Sequence, residues 1–179
     1  MLKKIQLWGL GLLALILAPN LQAGDFKAMG GLTFTTQSIP LMGYSAASGY
    51  KTDGLDLWIG QPFSQEVDLV YHNLSGKDTT SLSGNSGESQ IGLTSWELNY
   101  FILTGLLGFE FGPGIGYGVS STTESNNGTD SSPFLTGTDI HYGVLLLRLG
   151  MSFSLFTCDA NLSSFGGLIG GSLLCGIEF

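Results

Sequence analysis

The chain has 179 residues, 43% of them hydrophobic, only 11% charged and 28 of them glycine. That balance speaks against a charge-coated soluble domain, and the 11% aromatic content speaks against disorder. Fourteen Asp and Glu against six Lys and Arg, a net charge of -8, argue against nucleic acid as a partner.

Met1 to Ala23 has the pattern of a cleavable secretory leader: Lys3 and Lys4, an apolar run from Leu7 to Ala18, then Pro19 and Asn20 ahead of Leu21-Gln22-Ala23. The run is too short to span a bilayer, and no cysteine follows it to carry a lipid. Removing Lys3 and Lys4 takes the net charge from -8 to -10. The rest, residues 24–179, shows no composition break and is read as one domain. It has no apolar run of helical length, so it folds as a soluble exported domain or spans a membrane as strands.

The first strand is expected over 26–36, with Phe26, Ala28, Leu32 and Phe34 opposite Lys27, Met29, Thr33 and Thr35. A Ser/Gly/Tyr-rich loop is expected over 37–50. A second strand follows at about 51–60, a tight turn at 61–65, and a third strand in which Val67, Leu69 and Tyr71 oppose Glu66, Asp68 and His72. Residues 74–89 read as a polar loop. The fourth strand, about 90–103, puts Ile91 and Leu93 outward and then Trp96, Leu98 and Tyr100; the change of phase at Thr94-Ser95 means either a bulge there or a misread register on one side of it.

After a turn at 103–106 comes LGFEFGPGIGYGV, Leu107 to Val119. Its odd positions are bulky and apolar; its even positions are glycine, apart from Glu110. A period of two with one greasy face and one nearly bare face fits a lipid-facing strand whose other side borders a crowded lumen. Pro113 cannot donate to a ladder and predicts a second bulge. A loop is expected over 120–138, then a strand with Ile140, Tyr142, Val144 and Leu146 outward and His141 inward. The change of phase at Arg148-Leu149-Gly150 reads as a minimal turn before a short strand over 151–155, with one long strand through it as the alternative; a loop over 157–166 and a last strand over 167–179 complete eight antiparallel strands.

Long polar loops at one end and tight turns at the other are the asymmetry of outer-membrane barrels, and eight strands bring both termini to the turn end. A soluble lipocalin-like barrel, with the odd face of 107–119 turned inward, is the alternative.

The last strand places Leu173, Cys175, Ile177 and Phe179 on one face and stops on the aromatic. This resembles the terminal strand of bacterial outer-membrane β-barrels, in which such a face is the signal recognised by the barrel-assembly machinery. Residues 24–179 as a whole resemble the small eight-stranded OmpA-type and OmpX-type barrels. The resemblance implies outer-membrane lipid and the assembly machinery as partners, in a Gram-negative-type envelope, with any extracellular partner met through 37–50, 74–89 and 120–138.

Inward candidates are Asp56, Glu66, Asp68, Glu97, Glu110 and Glu178, with Lys27, His72, His141 and Arg148 as the basic groups available to them. Such groups must pair when enclosed. They make either a polar plug that fixes the barrel's register or a cation-attracting pore. Lipid A deacylases, another barrel family, carry His and Ser in an H-x-S-N context. His72-Asn73-Leu74-Ser75 has its serine one place too far and His141-Tyr142-Gly143 has none, so an acyl hydrolase is a weak third reading. GPGIGYG opens no helix and matches no phosphate-cradling loop, and neither a cofactor nor a metal is expected. Cys158 and Cys175 would ordinarily pair in an oxidising compartment. With Cys158 at the outer end of the seventh strand and Cys175 several residues down the eighth, the two lie on the order of 20 Å apart at roughly 3.3 Å per residue, and both are expected as free thiols.

Overall fold

A computed structural model describes residues 25–36, 40–57, 61–78, 81–82, 85–86, 89–106, 108–126, 140–165 and 168–179. The leader expected over 1–23 lies outside them. The strands are β1 (Asp25–Thr36), β2 (Leu41–Leu57), β3 (Gln61–Asp78), β4 (Ser81–Leu82), β5 (Asn85–Ser86), β6 (Ser89–Leu106), β7 (Phe109–Asn126), β8 (Ile140–Phe153), β9 (Phe156–Phe165) and β10 (Leu168–Glu178). Eight of them close an antiparallel barrel in the order β1-β10-β9-β8-β7-β6-β3-β2, while β4 and β5 form a separate ribbon in the β3–β6 connection. Closure is sealed where Phe26 and Phe179 exchange backbone N–H···O bonds of 2.8 Å in both directions.

The period-two faces of β7 point as alternation demands. Phe109, Phe111, Ile115 and Tyr117 are 50%, 51%, 63% and 42% exposed on the outer wall, whereas Gly112, Gly114 and Gly118 are buried inside. A β-carbon on Gly114 would meet the Phe101 ring, one on Gly116 the Asn99 amide, and one on Gly118 the Tyr142 ring. The glycine row is therefore the space into which side chains of β6 and β8 project.

Several expected boundaries move. The stretch 37–50 is mostly strand, since β2 starts at Leu41; Gly43, Ser45, Ala47 and Gly49 are small because they face the lumen. The β3 and β7 strands run on to Asp78 and Asn126. β3 already begins at Gln61 and β6 continues to Leu106, so the turns expected within 61–65 and 103–106 are strand. β6 keeps one register against β3 from Ser89 to Thr104, so Thr94-Ser95 carries no bulge and Ile91 and Leu93 belong to the inner parity. At Pro113 the β6–β7 ladder lapses, then resumes in unchanged register from Gly114 with Phe101 to Phe111 with Thr104. A missing donor interrupts a ladder without inserting a residue. The register shift in the described ladders lies in β2, between Asp53 and Leu55.

Arg148 is not in a turn. β8 runs unbroken through it with Tyr142, Val144, Leu146 and Arg148 inward, and the chain reverses at Ser154-Leu155. β9 then occupies the expected loop 157–166. Val144 and Leu146 join Phe101 and Leu103 in an apolar cluster within the lumen. With both faces of β8 greasy over 144–147, alternation gives no phase there.

The start of β1, the end of β10 and the turns at Gly108 and Ser154-Leu155 lie at one end, joined by Ser152 N–H to Gly108 O at 3.0 Å and Glu178 N–H to Leu155 O at 3.0 Å. Asp78, Ser89 and Asn126, paired in turn across β3, β6 and β7, mark the other.

Candidate functional site in the barrel lumen

Inward positions of six strands bring charge together toward the turn end. Arg148 of β8 donates from Nη1 to Glu66 Oε1 at 2.6 Å, from Nη2 to Asp68 and from Nε to Asn161 Oδ1 at 2.8 Å. Asp159 of β9 lies 3.5 Å from the same guanidinium, whose carbon stands 3.7 Å over the Phe101 ring. Lys27 Nζ donates to Glu66 Oε2 at 3.0 Å and lies 3.7 Å from Glu110, which also binds Lys51. Lys27, Glu66, Asp68, Arg148 and Asp159 are each at most 2% exposed. An enclosed charge is tolerated only with partners, and a guanidinium can serve several carboxylates at once because its donors fan out in a plane. Space for the carboxylates comes from glycine: β-carbons at Gly49 and Gly150 would meet Asp68 and Asp159.

A second, mostly uncharged chain of bonds joins β1, β2, β3, β6 and β8. Thr33 and Ser45 hydroxyls lie 2.6 Å apart, Ser45 Oγ is 2.6 Å from His72 Nδ1, and His72 Nε2 is 3.4 Å from Glu97. Tyr142 donates to Glu97 at 2.8 Å and Asn99 to its other oxygen at 3.3 Å. Beside this chain is a cavity of about 20 Å³, lined by Thr33, Thr35, His72, Leu74, Leu93 and Glu97 among others, room for roughly one water.

Glu66, Asp68, His72, Glu97 and Glu110 thus meet in these two networks. Glu178 accepts from Ser152 Oγ at 3.0 Å, nearer the chain end. Asp56 sits opposite Pro62 in the β2–β3 ladder, and its side chain lies outside the described residues. His141 is corrected: it faces outward, with Nδ1 2.6 Å from the Tyr117 hydroxyl on the outer wall, because the phase of β8 is opposite to that expected. Leu173, Cys175, Ile177 and Phe179 all face outward on β10 and at its end.

Sequence reasoning missed Asp159, Lys51, Ser45, Asn99 and Tyr142 as lumen groups. A signal for Asp159 was present, since Thr157, Asp159, Asn161 and Ser163 alternate strictly with Cys158, Ala160 and Leu162. The cysteines are corrected too. Cys158 and Cys175 are register partners on β9 and β10, 4.1 Å apart at Cα and disulfide-bonded; the 20 Å separation assumed that 157–166 was a loop.

The geometry has counterparts among solved structures. Ail of Yersinia pestis, crystallised with the heparin analogue sucrose octasulfate, aligns at a TM-score of 0.52 and 11% identity over 88% of this chain and 100% of Ail. Neisserial surface protein A aligns at 0.52 and 12% identity, over 88% and 96% of the two chains. A major outer membrane protein of Thermus thermophilus aligns at 0.52 and 11%, over 88% and 100%. The chain has the closed eight-stranded antiparallel fold of small outer-membrane β-barrels. No protein-family model and no curated sequence matches it.

Proposed function

We propose that this is a non-enzymatic outer-membrane barrel, exported by its leader, with a lumen sealed by salt bridges and with the connections at the end away from Phe179 as its working surface. The observation that carries the reading is Arg148, held by Glu66, Asp68 and Asp159 across the interior. A pathway for ions needs free space between the groups that line it; here Glu66, Asp68 and Glu110 bind Arg148, Lys27 or Lys51, Asp159 stands 3.5 Å from Arg148 with no hydrogen bond among the described residues, and the glycine row is filled by Phe101, Asn99 and Tyr142.

Ser45, His72 and Glu97 stand in the order of a hydrolase triad, but a nucleophile needs a site about 3 Å away where a substrate atom can sit. Ser45 is 0% exposed, and the neighbouring cavity admits about one water. This supports a hydrogen-bonding role for the three. Beyond residue 24 the cations are Lys27, Lys51, Lys77 and Arg148, three of them committed to the lumen. In sequence, the segments 79–88 and 127–139 carry Glu88, Asp130 and Asp139 and no Lys or Arg. A surface of that sign favours a neutral or cationic partner over a sulfated one.

Planar-bilayer recording of the purified barrel tests the proposal. No discrete conductance is expected from the native protein. Steady cation-selective steps that shrink in Glu110→Gln would replace this reading with a pore.

A further inference from the structure

The disulfide lies where chemistry in the finished barrel is hardest. Cys175 is on the outer wall between Leu173 and Ile177, 58% and 49% exposed, and Cys158 stands opposite Met151 of β8, 48% exposed, with Phe156 nearby at 68%. In a lipid-embedded barrel these neighbours put both sulfurs against acyl chains. Thiol–disulfide exchange runs through a thiolate, an anion that hydrocarbon disfavours and that no cation among these neighbours would stabilise.

The bond also sits on one of the barrel's shortest ladders. β9 and β10 have 10 and 11 residues, against 17 or 18 in β2, β3, β6 and β7. β10 carries Gly170, Gly171 and Gly176, and glycine-rich strands specify register poorly. A slip of one residue would turn Cys158 and Cys175 to opposite faces. A link between them therefore admits one pairing of the hairpin.

We propose that the Cys158–Cys175 bond is made in the aqueous periplasm by a dithiol–disulfide oxidase before insertion, so that β9 and β10 reach the assembly machinery as a hairpin already in register. One cysteine thiolate attacks the oxidase disulfide, forming a mixed disulfide; the second thiolate displaces the oxidase sulfur. The two cysteines lose two protons and two electrons, and the oxidase disulfide becomes a dithiol. The proposal rests on the outer-membrane reading.

The test is a pulse–chase of the full chain in Gram-negative cells with and without a periplasmic dithiol oxidase. Free thiols are trapped with a large alkylating reagent, and folding is read as heat-modifiable migration. The bond is expected first in chains that are not yet heat-modifiable. Cells lacking the oxidase and the C158V/C175V variant, which keeps apolar β-branched groups on the lipid face, are both expected to assemble several-fold more slowly. A bond seen only in heat-modifiable chains, or equal assembly rates for native and variant, overturns it. Failure of the outer-membrane reading is separate: the native chain would then stay soluble with no heat-modifiable form.

Discussion

Arg148 on β8 and Asp68 on β3 are paired across two intervening strands, β7 and β6, so one guanidinium ties together parts of the wall that share no ladder. Removing one member of an enclosed pair leaves the others uncompensated, which costs about 3–5 kcal/mol. Arg148→Met is therefore expected to lower the unfolding free energy in urea, measured in lipid vesicles, by about that amount. The triple variant E66Q/D68N/R148M, which removes two of the three carboxylates around Arg148 and leaves Asp159 and Lys27, is expected to recover part of the loss. A triple variant as unstable as the single one would assign the cost to packing on Phe101 instead.

Glycines of the two faces are expected to respond oppositely. At Gly112 a β-carbon would strike the Ile102 carbonyl, a backbone atom that cannot rotate away, whereas at Gly143 it would meet nothing within 4 Å. Gly112→Ala should cost about 1–3 kcal/mol as overpacking. Gly143→Ala should be neutral or gain up to about 1 kcal/mol, since glycine weakens a strand. Equal responses in the same urea titration would mean that Gly112 is not constrained by the β6 backbone at Ile102.

Ser154 turns the chain from β8 to β9 with φ at 58°, a left-handed conformation that costs a non-glycine residue about 1–2 kcal/mol. Ser154→Gly relieves that strain but frees the unfolded chain by about 0.5–1 kcal/mol. A net gain of a few tenths to about 1 kcal/mol is expected. Ser154→Pro, whose φ is fixed near -65°, should prevent the turn, read as loss of the heat-modifiable form.

How far the molecule was legible follows from what each strand carries inside. β7 alternates cleanly over 109–120 because its lumen face there holds glycine, serine and one carboxylate against a greasy exterior, and β1 and β10 do so apart from Met29 and Leu174 inside. β8 does not, since Val144 and Leu146 fill an apolar layer of the lumen; reading Val144 and Leu146 as the outward face turned His141 inward and made Arg148 a turn. The polar run after Thr157 read as loop although its alternation was that of a strand, and that error separated two cysteines that are direct neighbours. The meeting of Ser45, His72 and Glu97 lies beyond any local pattern, because it depends on the relative stagger of β2, β3 and β6.

The outer wall gives the most direct test of membrane residence. Ile115, 63% exposed, lies midway along β7 in the row of Phe109, Phe111 and Tyr117. On a water-facing surface, Ile115→Arg would change stability by no more than about 0.5 kcal/mol. In a bilayer, arginine on the lipid face near mid-depth costs about 2–4 kcal/mol, falling to about 0–1 kcal/mol near the interfaces. Reversible folding into vesicles should therefore show a loss of about 2–4 kcal/mol for Ile115→Arg and clearly less for Phe109→Arg, at the turn end of the same row. That gradient along one strand requires hydrocarbon around the barrel; a uniform small effect at both positions would mean that the greasy face meets water.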